Sequence, residues 1–155
     1  MKGMDSNNVV AAVEYDSTGT PTGLLINRRL MSGIANMNAA QREMERIGWN
    51  MPTDGKVTSL ARYSITHEYG HLTESALYLK SRSSGSTKTE GQDARARTNA
   101  ILKIAKGYGA TRGDVSHYGQ QNSYEFFAEA FANAHSGKPN AIGRAMSEYL
   151  KRNMP

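Results

Sequence analysis

In "SITHEYGHLTES" (64–75), His67 and His71 stand four residues apart with Glu68 between them. Four residues advance an α-helix by one turn plus about 40°, so both imidazoles leave the same side and can share one metal ion. Glu68 lies beside them but is offset around the helix. It is too close in sequence to be a comfortable third ligand, yet well placed to take a proton from water at the metal. A hydrolytic zinc site divides its labour in this way, with two imidazoles holding the ion and a carboxylate acting as base. The same spacing also describes a solvated or hydrogen-bonded helix face. The third ligand decides between the two, because catalytic zinc takes three protein ligands and keeps one position open.

A third histidine just downstream is excluded. In the extended pattern H-E-x-x-H-x-x-G-x-x-H, Glu74 and Leu77 occupy the positions of the glycine and the last histidine. A carboxylate from a separate helix is the other solution, and "NSYEFFAEAFANAH" (122–135) offers one. Asn122 is suited to cap that helix, and Phe126, Phe127, Ala130 and Phe131 form its apolar face. Glu125 and Glu129 are four apart on one side of it. Acidic groups near a helix start also serve as caps, with Glu125 at the third position completing a capping box. Two carboxylates on a phenylalanine-rich helix nevertheless call for positive partners. Zinc supplies one for Glu125, and a histidine N–H supplies one for Glu129, which then orients that ligand.

With "HEYGH" followed by "YGQQNSYEFFAEAF", the chain resembles the protease domain of anthrax toxin lethal factor and the related Pro-Pro endopeptidases, which are gluzincin-type zinc peptidases. The likeness covers about residues 57–135, strongly in the two motifs and weakly between them. It implies His67, His71 and Glu125 as zinc ligands, Glu68 as general base and Tyr118 as the hydroxyl that stabilises the oxyanion. Glu129 matches the family's second acidic position. A looser resemblance links "LLINRRLMSGIANM" and "GWNMPTDGK" to zincin-like domains of phage head-morphogenesis proteins. The two likenesses imply an α+β fold, a mostly helical zincin-like domain with a small N-terminal β-sheet packed on the HExxH helix. They imply a zinc-dependent endopeptidase acting on a peptide or protein, whose substrate strand pairs with the sheet edge at 23–27. The alternative is a catalytically silent structural or assembly module of a phage or prophage protein.

The elements that must position these residues follow from periodicity and turn chemistry. "NVVAAVEY" (8–15) and "GLLIN" (23–27) read as strands joined by the turn-rich "DSTGTPT". A helix over 32–48 ends at Gly48, and "WNMPTDGK" (49–56) is a loop. Thr58 or Ser59 caps a long helix reaching to about Lys80, and Ile65, Tyr69, Leu72, Ala76 and Leu79 form its expected buried stripe. Gly70 inside that helix costs about 1 kcal/mol against alanine, which predicts the close approach of another backbone. The polar segment 80–98 reads as a mobile loop, with a lid over the site as a further possibility. Helices follow over 94–106, 122–133 and 141–152, with an irregular stretch before the second of them. His117 and His135 are spare candidates as ligand or proton carrier. Residues 1–30 and 140–155 carry no functional motif.

At 155 residues and 17.0 kDa, the length suits one domain, 1–155, with a single core. The absence of cysteine excludes thiolate zinc sites and disulfides, leaving histidine and carboxylate as ligands. A net charge of +5 raises nucleic acid as a partner, but the Lys and Arg are scattered without an aromatic-interleaved stripe, so none is expected. No apolar run suits a signal peptide or a membrane span, which points to the cytoplasm or a virion.

Overall fold

The computed structural model describes residues 11–28, 33–50 and 60–154. Among them lie two strands, β1 (Ala11–Tyr15) and β2 (Pro21–Ile26), and five helices: α1 (Ile34–Arg46), α2 (Leu60–Ser83), α3 (Glu90–Gly107), α4 (Ser123–Ala134) and α5 (Ala141–Asn153). The protein is thus mostly helical with a small N-terminal antiparallel sheet, and that sheet packs on α2, the helix that carries the histidines. The expected caps Thr58 and Ser59, most of the loop 49–56 and the start of the first strand lie outside the described residues.

The hairpin is pinned by its turn. The Asp16 carboxylate accepts the N–H groups of Thr18 and Thr20 at 2.8 and 2.9 Å, and Gly19 takes the positive φ that closes the loop. Strand pairing runs from Ala11 opposite Ile26 to Glu14 opposite Gly23, with an irregularity at Glu14–Tyr15.

The core lies among α2, α3, α4 and α5. Phe126 and Phe127 from α4 are fully buried with Ile101 of α3 and with Ile142 and Met146 of α5. Truncating either phenylalanine to alanine costs about 3–5 kcal/mol in such a setting. Asn122 caps α4 as expected, its side chain accepting the N–H groups of Tyr124 and Glu125 at 2.9 Å each.

Two expectations are corrected. The residues buried along α2 are Tyr63, His67, Gly70, Glu74 and Leu77, while Tyr69 and Leu79 of the expected apolar stripe are 54% and 52% exposed. The helix turns its histidine face inward because that face fits α4. A Cβ on Gly70 would lie 2.7 Å from the Ala128 Cα, so the glycine lets the two backbones approach closely. The segment 80–98 is largely helical, forming the last turn of α2 and the first turns of α3, with 84–89 between them. Thr89 and Gln92 supply a reciprocal capping box that starts α3 there. The polar composition of 80–98 reflects an exposed helix end and a cap, followed by a buried face of α3 that carries Asp93, Arg97 and Thr98, so the segment is mostly helix rather than loop.

Candidate metal centre

The close contact of α2 with α4 brings three donor atoms together. His67 Nε2 lies 3.1 Å from a Glu125 oxygen and 3.2 Å from His71 Nε2, and His71 Nε2 lies 3.5 Å from that same oxygen. His67, His71 and Glu125 form a group that can hold a metal ion, with His67 buried and the other two half-buried. Two helices 54 residues apart in register therefore supply one site (Glu125 minus His71). The Glu125 carboxylate faces the histidines, so it does not complete a capping box, although Asn122 caps its N–H.

Glu129, one turn further along α4, is 1% exposed and faces the other nitrogen of His67. Its oxygens accept from His67 Nδ1 at 2.9 Å, Tyr63 Oη at 2.7 Å and Ser116 Oγ at 2.6 Å. Placing the His67 proton on Nδ1 satisfies the buried carboxylate and leaves Nε2 with its lone pair toward the donor cluster. Tyr63 and Ser116 were not identified from sequence. Tyr63 lies one turn before His67 on the face of α2 that the structure buries, so its role emerged only with the packing.

The electrostatics favour a cation. Burial opposes a charge on His67, but hydrogen bonds to Glu125 and Glu129 outweigh it and push the imidazole up to about 9. Burial likewise opposes the charge on Glu125, yet the two histidines hold it down to about 2. The carboxylates thus make this a place for positive charge, from a proton or from a metal that competes with it. Glu68 is raised above the usual carboxylate range, chiefly by burial, with His67 and His71 pulling the other way. One of its oxygens accepts the Val13 N–H at 3.0 Å, a contact from the N-terminal segment that the sequence did not reveal.

Tyr118 lies beside the cluster. Its ring stacks on His67 with centroids 5.5 Å apart and planes at 29°. Burial first, and then the charges of Glu125 and Glu68 together with its hydrogen bond to Glu125, raise its pKa and keep the hydroxyl protonated. His117 and His135 are not part of the cluster. The His117 N–H donates to the Gly48 carbonyl at 2.8 Å, and His135 Nδ1 pairs with the Phe131 carbonyl at 2.8 Å. No described helix is long and apolar enough to cross a membrane. No protein-family model, curated protein or solved structure matches this chain.

Proposed function

We propose that the chain is a zinc-dependent endopeptidase of the gluzincin type, with His67, His71 and Glu125 as ligands. The supporting observation is the spacing of the three donors, 3.1, 3.2 and 3.5 Å. Tetrahedral zinc with bonds of 2.0–2.1 Å holds neighbouring ligand atoms about 3.3–3.4 Å apart, in the middle of that range. Two imidazoles and one carboxylate also favour zinc over magnesium or calcium, which prefer all-oxygen sets.

Held by these three residues, zinc would supply Lewis-acid chemistry for peptide hydrolysis at neutral pH. Glu68 accepts the proton of the attacking water and passes it to the leaving amine. The Tyr118 hydroxyl donates to the carbonyl oxygen as negative charge develops on it. Glu129 holds His67 in one tautomer throughout. Val13 points its N–H away from β2 and toward Glu68, so the edge of β1 opposite β2 borders the base. An extended peptide added to that edge lays its backbone alongside Glu68.

Zinc content and cleavage of a diverse peptide library, measured for wild type and Glu68→Gln, test the reading. Both proteins should hold one zinc per chain, and the substitution should lower cleavage by about 10²–10⁴-fold. Stoichiometric zinc with no cleavage by wild type would instead support a silent structural or assembly module.

A further inference from the structure

Just beyond the end of α1, the aromatic side chain of Trp49 stacks on Tyr118 beside the metal centre. Gly48 adopts φ 73°, and the N–H groups of Gly48 and Trp49 close on the carbonyls of Glu45 and Met44 at 3.0 and 2.8 Å. This glycine stop turns the chain so that Trp49 emerges in a fixed direction. The turn is docked on the segment leading into α4. The His117 N–H donates to the Gly48 carbonyl at 2.8 Å, and the His117 ring sits where a Cβ on residue 48 would come within 3.1 Å. The residue after His117 is thereby brought against Trp49. The indole and the Tyr118 ring stack with centroids 5.5 Å apart and planes at 25°.

Tyr118 thus has two near-parallel aromatic neighbours, Trp49 and His67, each at 5.5 Å. A tyrosine hydroxyl sits at the end of a long lever, so a modest turn about the Cα–Cβ bond carries it away from its target. Two stacked neighbours restrict that turn. Trp49 remains 42% exposed, and its inner face is the part that meets the phenol.

We propose that Trp49 is a positioning residue of the metal centre, whose indole holds the Tyr118 ring against His67 and so fixes where the Tyr118 hydroxyl points. The inference rests on the peptidase reading for its catalytic consequence, while the positioning itself can be measured without turnover.

Trp49 is the chain's only tryptophan, so its emission reports on this stack alone. In Tyr118→Ala the emission should shift to the red and become more accessible to acrylamide. With cobalt(II) in place of zinc, the d–d spectrum of Trp49→Ala should move toward that of Tyr118→Phe, because both changes disturb the phenol's bond to Glu125. Trp49→Phe, which keeps a stacking ring, should retain the wild-type spectrum. On a peptide that wild type cleaves, Trp49→Ala should lower kcat by roughly 10–100-fold with little change in KM. Trp49→Phe should recover most of the loss, and Trp49→Ala should add nothing in a Tyr118→Phe background. Emission indifferent to Tyr118→Ala, an unaltered cobalt spectrum in Trp49→Ala, or a loss confined to KM would each overturn the proposal. Absence of cleavage by wild type sinks the peptidase reading, and the emission and cobalt measurements then decide the positioning role by themselves.

Discussion

At the scale of residues, the cluster depends on how completely one buried carboxylate is satisfied. Glu129 accepts from His67, Tyr63 and Ser116, so its charge is offset by three donors and its hydrogen bond selects the His67 tautomer. Glu129→Gln replaces one acceptor oxygen by an NH2 group that must face one of those donors. The metal ligands remain, but His67 is no longer held in the form that presents a free Nε2. Zinc affinity should fall about 10–100-fold, as read by competition with a chromophoric chelator. An unchanged affinity would show that the His67 ring is oriented by packing alone. The donor group His67, His71 and Glu125, and Glu129 beside it, were legible because the spacing of four residues recurs in both helices. Tyr63, Ser116 and Val13 were not, because each acts through a fold-dependent contact with a residue distant in sequence.

At the scale of elements, the site exists because α2 and α4 approach so closely. Apolar periodicity pointed to the face of Ile65, Tyr69 and Leu72, yet the helix buries the face of Tyr63, His67, Gly70 and Glu74. Periodicity weighs side chains by polarity and cannot see that a polar side chain has a partner waiting on another helix. The informative residue was Gly70, whose helix-disfavouring backbone signalled a close neighbour. Gly70→Ala sets two effects against each other. Higher helix propensity contributes about 1 kcal/mol of stability, while forcing a methyl group against the Ala128 Cα costs about 1–3 kcal/mol. Because the contact at 2.7 Å involves backbone, which relaxes less readily than a side-chain tip, the steric cost should dominate. The melting temperature should drop by several degrees, and zinc affinity should drop with it, since α2 carries His67 and His71 while α4 carries Glu125. A variant more stable than wild type with intact zinc binding would show that the helices are free to separate without disturbing the site.

At the scale of the whole molecule, a second buried charge cluster adds its own term to how stability varies with pH. Glu74 of α2 is 3% exposed and neither of its oxygens has a hydrogen-bond partner. Arg97 of α3 lies 3.7 Å from it but is bound more closely to Asp93, at 2.5 Å. Asp93 thus offsets the guanidinium charge and leaves Glu74 as the surplus carboxylate. Burial pushes Glu74 up to about 8, with Arg97 opposing the rise and Glu90 and Asp93 adding to it. In sequence, Glu74 registered only as the residue in place of a motif glycine, because burial of its charge is a property of the packed helices. Its ordinary pKa is 4.5, so between that value and about 8 the unfolded chain has lost a proton that the folded chain retains. The contribution of Glu74 to stability is therefore fully present below pH 4.5, falls as pH rises through this interval, and levels off above about 8. Glu74→Gln keeps the shape and removes the titration. Its melting temperature relative to wild type should climb across the same interval, by roughly 4 °C or more at the alkaline end. Scanning calorimetry of both proteins at matched zinc loading, taken pH by pH, isolates this one group, because the other titrating residues are common to the pair. A difference that stays constant with pH would mean that Glu74 is ionised in the folded protein and that Arg97 serves both carboxylates.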